Sequence, residues 1–576
     1  MSAEPQPHRI ARWRFALVLS GFVLLLLVVQ GRLVMLHTVK QPFLFEQGEQ
    51  RTVRHEVQPA MRGSITDRHG RPLAVSTPVV TLWLNPQQID PKRLPELAKA
   101  LNLPTRTLAS RVANAFDKQR EFMYLQRQMS PQDAQQVLDL GIAGVYGDED
   151  FRRFYPAAEV TAHLLGIVNI DGQGQEGLEL AYNDYLSGRD GARQVVKDLY
   201  GNVVQSVQVQ QVPRAGDDLR LTMDLRLQYV AYRELKAAVA AHNAKAGAAV
   251  LLDARNGDVL ALVNQPSYNP NNRATLKPEH MRNRAIADLI EPGSTMKPFT
   301  VAAALESGRY RSNSEIDTSP GIIRVKRKAI RDHRNYGVLD ITGIITKSSN
   351  VGVVKLAHDL GPESIWSFFA DAGVGDTTVL GFPGEAVGRL PYPEQLDELR
   401  LATVSYGYGL SVTPLQLAQA YTTFTEGGCR LPVHLVMPEQ RDPECKRVMS
   451  ERVARQVVDM MGTVVSERGT GKRARIDGYQ AGGKTGTAHK VGESGYEDAR
   501  YTAVFAGVAP ISDPELVLVV VVDDPQGQEY YGGEVAAPVF SRIMSQALRL
   551  RQVLPDERDP NWLTTLVAKR GQHEAQ

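Results

Sequence analysis

Hydrophobic and polar positions follow three different patterns along this chain. From Phe15 to Val29 (FALVLSGFVLLLLVV) there is no alternation: the run is apolar but for Ser20 and Gly21. Extended to Leu36 it reaches the roughly 20 residues that cross a bilayer core. Arg9, Arg12 and Arg14 precede it, and Arg32 near its far end can snorkel to the interface. No A-x-A-like cleavage site follows. The pattern predicts a cytoplasmic tail over 1–14 and a single uncleaved anchor over 15–36, with the remainder outside the cytoplasm.

Residues 37–220 alternate short β-like runs, such as Val79–Leu84, with helical patterns such as Pro131–Leu140 and frequent turns. This predicts an extended α+β stalk. From Leu221 the texture changes. Ala248–Val263 (AAVLLDARNGDVLALV) reads as two strands joined by the turn formers Arg255-Asn256-Gly257-Asp258. Helical segments follow, then strands at Thr502–Ala509 and Glu515–Asp524 and an amphipathic helix over about 535–553. Strands at both ends with helices between predict a mixed α+β domain over 221–556. Its sheet would draw its halves from distant sequence around an inserted helical region. Residues 557–576 read as a tail.

Composition narrows the function. With 43% hydrophobic and 23% charged residues the chain is an ordinary folded one. A net charge of +2 gives no basic field, which argues against nucleic acid as a partner. Two cysteines exclude a multi-cysteine metal cluster. Cys429 and Cys445 flank a Pro-rich, charged stretch. Disulfides form outside the cytoplasm, but spacing alone leaves open whether these two meet. ATP and NAD are scarce there, so the chemistry is expected to use a bond already activated in the substrate, with no cofactor and no metal.

Two motif matches fail on context. Gly172–Gly177 (GQGQEG) fits a dinucleotide fingerprint, but the helical pattern after it is short, and a turn is the better reading. Gly478–Thr485 (GYQAGGKT) fits a phosphate loop. It is preceded by a basic, polar stretch instead of a buried strand, and followed by a glycine-rich one that makes a poor helix.

The sharper signal is Glu291-Pro292-Gly293-Ser294-Thr295-Met296-Lys297-Pro298. Ser294 opens a strongly apolar helical run, and Lys297, three residues on, shares its face. A serine hydroxyl needs an adjacent base, and a lysine at a buried helix start is pushed towards its neutral form. Ser348-Ser349-Asn350 and Lys484-Thr485-Gly486-Thr487 follow in order. S-x-x-K, Ser-x-Asn and K-T-G together are the set of the penicillin-recognising serine acyltransferases.

On these motifs the chain resembles the class B penicillin-binding proteins, the monofunctional peptidoglycan D,D-transpeptidases. The likeness extends to Arg62-Gly63-Ser64-Ile65-Thr66-Asp67-Arg68 with Gly70, Tyr155–Gly166, Gly174–Glu179 and Leu221–Gln228. Arg282–Pro298, with Glu291, and Ser405–Tyr421 are closest to the division-specific, FtsI-type branch. The resemblance implies a transpeptidase domain, an antiparallel sheet with a helical subdomain, on a stalk of the dimerisation or pedestal type. It implies that Ser294 attacks the penultimate D-Ala carbonyl of a stem peptide, Lys297 takes its proton, Ser348 relays a proton to the leaving amine and Asn350 positions Lys297. Lys484, Thr485 and Thr487 would hold the substrate carboxylate beside Gly486, and the Ser294 and Thr487 amides would form the oxyanion hole. Arg62, Gly63, Asp67 and Arg68 are carried over as a stalk motif. β-Lactams would acylate Ser294. The stalk lacks glycosyltransferase motifs, so an FtsW-type membrane glycan polymerase and other division proteins are the implied partners, at the inner membrane. The basic run Ile323–Arg334 reads as a solvated loop or a contact for anionic wall precursor, and Gly469–Arg475 as a stretch that shapes the cleft. A serine β-lactamase and a non-catalytic division scaffold are the rival readings.

Overall fold

In the computed structural model, residues 12–44, 46, 53–197, 203–440, 445–492 and 495–557 are described. The apolar run becomes one helix, α1 (Arg12–Val34), with no buried residue, continued by a π-helical turn at Met35–Val39. A helix apolar on every side with no protein around it suits the bilayer as solvent. Among the described residues it is the one helix long and apolar enough to span a membrane. Residues 1–11 of the expected cytoplasmic tail, and 558–576 of the expected C-terminal tail, lie outside the described residues.

The chain forms two compact units, neither of them one continuous stretch: Met1–Met61, Pro78–Phe151 and Arg189–Ala215 make the smaller, and Arg62–Thr77, Arg152–Gly188 and Gly216–Gln576 the larger. In the smaller unit, strands Val53–Gln58, Gly191–Lys197 and Val203–Gln211 form an antiparallel sheet. A separate core of Leu82, Leu97, Leu108 and Val137 gathers helices Leu94–Ala100, Thr105–Asp117 and Pro131–Leu138. Ser130 starts the last of these by accepting a hydrogen bond from the Asp133 amide at 3.1 Å, with Pro131 in the first turn where its missing N–H costs nothing.

The larger unit is built on a five-stranded antiparallel sheet of β1 (Ala246–Asp253), β2 (Val259–Gln265), β3 (Gly482–Gly492), β4 (Gly495–Ala509) and β5 (Leu516–Asp523), in the order β2-β1-β5-β4-β3. The first hairpin and both late strands fall where the sequence pattern put them, and β5 joins the distant halves by pairing with β1. Every residue of β1 is buried, because both faces of the sheet are covered. Ala249 and Leu251 face a core shared with α2 (Leu225–Ala241) and the C-terminal helix Ala537–Leu550. Ala248, Val250 and Leu252 face the larger core containing α3 (Lys297–Glu306), α4 (Ile341–Lys347), α5 (Asn350–Leu360) and α6 (Glu451–Val465). That period of two is the register of a strand between two layers.

Away from the sheet, Glu179 has no exposed side-chain surface and is held by two arginines. Arg62 Nε donates to one carboxylate oxygen at 2.7 Å and Arg153 Nε to the other at 2.6 Å. The pairing question left open by the sequence closes here: Cys429 and Cys445 are joined in a disulfide, with a Cα–Cα distance of 5.3 Å.

Candidate active site

The nucleophile candidate sits in a turn tighter than the sequence pattern suggested. Gly293–Met296 is 3₁₀-helical, and the α-helix α3 begins only at Lys297, with Pro298 in its first turn. In a 3₁₀ turn residues i and i+3 eclipse, which keeps Ser294 and Lys297 on one side. The turn is clamped from behind by the Tyr421 hydroxyl, which donates to Thr295 O at 2.8 Å. Residues Lys297 to Leu305 of α3 are all buried.

Lys297 is fully buried, and its ammonium points at the second motif: Nζ donates to Ser348 O at 2.5 Å, Ser348 Oγ at 3.1 Å and Asn350 Oδ1 at 2.7 Å. Ser348 reaches that position by ending α4 in the left-handed conformation, φ 58°. Ser349 then caps α5, its hydroxyl accepting from the Gly352 amide at 2.9 Å. Burial lowers the Lys297 pKa to about 7, against an opposing pull from Asp332. An amine with that proton affinity exchanges a proton readily near neutrality.

The third motif lies on β3, which is at the end of the strand order. Gly486 is required there: a methyl group at this position would stand 2.7 Å from Pro292 O. Gly293 lies beside Thr487 at φ 56°, the left-handed conformation that glycine adopts without strain; space is not the constraint, since a methyl on it would lie at an ordinary 3.7 Å from the Thr487 amide nitrogen. Lys484 is fully buried, and Nζ donates to Thr485 O at 3.2 Å and Oγ1 at 3.4 Å. Burial, and then the charge of Lys297, hold its pKa well below the ordinary lysine value. Ser294, Ser348, Asn350, Thr485 and Thr487 line one cleft of about 1010 Å³, together with Tyr406, Tyr408, Tyr501, Tyr530 and Tyr531.

Arg62, Gly63, Asp67 and Arg68 are not in this cleft. Arg62 belongs to the Glu179 ion cluster described above, and also donates to Asn183 Oδ1 and Ser187 Oγ. Gly63 lets the backbone pass Asp217 O, which a methyl group would meet at 2.0 Å. Asp67 Oδ1 accepts from the His69 and Arg71 amides, both at 2.8 Å, and Oδ2 from the Leu225 amide at 3.2 Å. Arg68 lies 3.7 Å from Asp258. Their arrangement is architectural. The dinucleotide-like Gly172–Gly177 is a turn whose Gly172 carbonyl accepts from Arg62, and the phosphate-loop match runs into strand β3.

Three residues around the cleft were not singled out from the sequence. Asp332 binds the Ser349–Val351 turn. Thr470 Oγ1 is 2.9 Å from Thr485 Oγ1, and the Tyr408 hydroxyl donates to Thr487 O at 3.2 Å. Thr470 falls within Gly469–Arg475, the stretch expected to shape the cleft. Asp332 was obscured by the cations around it.

Comparison with known proteins agrees with this geometry. The family model for the penicillin-binding protein transpeptidase domain matches residues 247–545, and that for the penicillin-binding protein dimerisation domain matches 57–221. The chain is 43% identical over 546 residues to a probable peptidoglycan D,D-transpeptidase, PbpC, of Pseudomonas aeruginosa, covering 94% of this chain and 96% of that one. It is 43% identical over 551 residues to the peptidoglycan D,D-transpeptidase FtsI of Escherichia coli K12, covering 94% and 93%. Among solved structures, the apo form of penicillin-binding protein 3 from Mycobacterium tuberculosis is similar at 27% identity with a TM-score of 0.68, covering 87% of this chain and 98% of that one. With both family models matched in order and full-length relatives at this identity, the chain belongs to the class B penicillin-binding proteins, in their division-type branch.

Proposed function

We propose that this protein is a serine D,D-transpeptidase that cross-links peptidoglycan stem peptides and is acylated by β-lactams at Ser294. The observation that carries the reading is the fully buried Lys297, its amine held by Ser348 and Asn350 at the cleft that Ser294 lines. Neutral Lys297 takes the proton of the Ser294 hydroxyl as Oγ bonds to the penultimate D-Ala carbonyl carbon. The negative charge that develops on the carbonyl oxygen is met by the Ser294 and Thr487 amides. Collapse breaks the C–N bond, and the leaving D-Ala amine takes its proton from Lys297 through the Ser348 hydroxyl. An amine from a neighbouring stem peptide then attacks the ester, forming the cross-link and returning the proton to Ser294. Thr485, Thr487 and Lys484 hold the terminal carboxylate.

Membership in the division-type branch supports action at the septal wall. The one membrane-length apolar helix among the described residues, with Arg9, Arg12 and Arg14 before its apolar run in the sequence, supports anchoring in the inner membrane, N-terminus cytoplasmic, with 37–220 as stalk and 221–556 as catalytic domain. A glycan polymerase of the FtsW type is the partner this arrangement calls for. Mass spectrometry of the detergent-solubilised chain with a penicillin, beside Ser294→Ala, tests the chemistry. A lasting adduct on Ser294 that the variant lacks is the expected result. An adduct that turns over within seconds while drug is consumed would make the protein a β-lactamase, and no adduct at any time would leave a scaffold.

A further inference from the structure

Asp332 lies directly after the strand Lys328–Arg331, and its carboxylate occupies the N-terminus of α5. Oδ1 accepts from the Asn350 amide at 2.5 Å and the Val351 amide at 3.0 Å, and Oδ2 accepts from the Ser349 hydroxyl at 2.6 Å. These are among the amides that a helix start leaves without a partner, and the helix dipole there favours a negative charge. The neighbouring Arg331 carbonyl accepts from Asn350 Nδ2 at 2.8 Å, so the Asn350 amide is fixed at one end by Arg331 and offers its oxygen to Lys297 at the other. Asp332 is itself held in place by its own amide, which donates to Gly321 O at 2.9 Å.

The geometry points to Asp332 as a positioning residue for acylation: its carboxylate holds the Ser348–Asn350 turn in the register that receives the Lys297 amine, and puts a negative charge on the backbone of Asn350, whose side chain holds that amine. This rests on the acyl-enzyme reading above. Two ionisable groups face Lys297 from the elements around it: Asp332, from the segment after Lys328–Arg331, whose charge favours its proton, and Lys484 on β3, whose own proton the charge of Lys297 disfavours; the α4–α5 turn presents only neutral Ser348 and Asn350. Asp332 opposes the burial that drives Lys297 towards its neutral form.

The test uses the full chain in detergent and follows the rate of penicillin acylation against pH. Asp332→Asn keeps the shape and the hydrogen-bonding reach but removes the charge, and the midpoint of its acid limb is expected about one unit below that of the unmodified protein. Ser349→Ala removes two hydrogen bonds, the one donated to Asp332 and the one accepted from the Gly352 amide, and no charge. Its plateau rate is expected to fall about fivefold with the midpoint unmoved. Asp332→Glu keeps the charge, and is expected to lower the plateau at an unchanged midpoint. A folded Asp332→Asn protein whose plateau falls while its midpoint stays put would overturn the proposal and leave Asp332 a structural cap. Titration of the Lys297 amine by NMR in ¹⁵N-lysine-labelled protein, assigned with Lys297→Arg, reads the same shift without acylation. Protein that forms no adduct would therefore overturn the acyl-enzyme reading, while the Asp332 effect was still measured.

Discussion

Lys484 and Lys297 are both fully buried, and the charge of Lys297 disfavours a proton on Lys484. Two buried ammonium groups that feel each other repel, so with Asp332 as the one anion acting on them the pair holds fewer than two protons near neutrality. A carboxylate arriving at Thr485 and Thr487 supplies the counter-charge that makes the second proton favourable. Binding of a β-lactam to Ser294→Ala is therefore expected to take up a proton. Calorimetry in buffers of differing ionisation enthalpy checks this, and a binding heat independent of buffer would count against it.

Acylation needs Lys297 neutral. Its pKa is lowered to about 7 by burial, so the protonated, inactive form dominates below that value and disappears above it. The rate is expected to rise about tenfold per pH unit on the acid side and to level off above about pH 7. Stopped-flow or mass-spectrometric acylation rates across mildly acidic to mildly alkaline pH check it. An ordinary lysine would still be climbing at pH 9 and above.

Gly486→Ala places a methyl 2.7 Å from Pro292 O and 3.0 Å from Thr295 Cγ2. The obstacle is backbone, so β3 and the nucleophile turn must separate. Misplacement on the scale of an ångström costs on the order of 10²-fold in rate. Penicillin acylation should fall by about that factor, while the far-ultraviolet circular dichroism is unchanged.

Glu179→Gln removes the carboxylate that Arg62 and Arg153 share in a nearly solvent-free cluster. Two buried guanidinium groups are left without a counter-charge, a change that costs about 3–5 kcal/mol. Thermal melting should show a drop of many degrees. A loss of a degree or less would mean that solvent reaches the cluster.

The chemistry was more legible in the sequence than the scaffolding around it. Ser294, Lys297, Ser348, Asn350 and Lys484–Thr487 could be read as a set from short motifs in order, and the structure brings Ser294, Ser348, Asn350, Thr485 and Thr487 to one cleft, with Lys297 and Lys484 buried and hydrogen-bonded to its lining. The start of α3 was misjudged by three residues, since an apolar run does not distinguish a 3₁₀ turn from the first turn of an α-helix. Asp332 was missed because a lone carboxylate among Lys326, Arg327, Lys328, Arg331 and Arg334 reads as part of a solvated loop. Its role depends on a helix start that only the fold brings near. Arg62 and Glu179 illustrate the same limit: each stood out in its own motif, yet nothing in a single sequence pairs them. The cysteines remained open for the same reason, since spacing does not give a Cα–Cα distance.

The union of β1 with β5 has a consequence for when the protein can act. A ribosome delivers Ser294 and Lys297 long before β3, β4 and β5, yet the sheet that carries Thr485 and Thr487 closes only when β5 zips against β1. Contacts so far apart in sequence form late and slowly. A partly made chain therefore has a serine and a lysine but no cleft to activate them. Reactivity therefore waits for β5, and a chain truncated before Leu516 should be unreactive towards penicillin, not merely weakened.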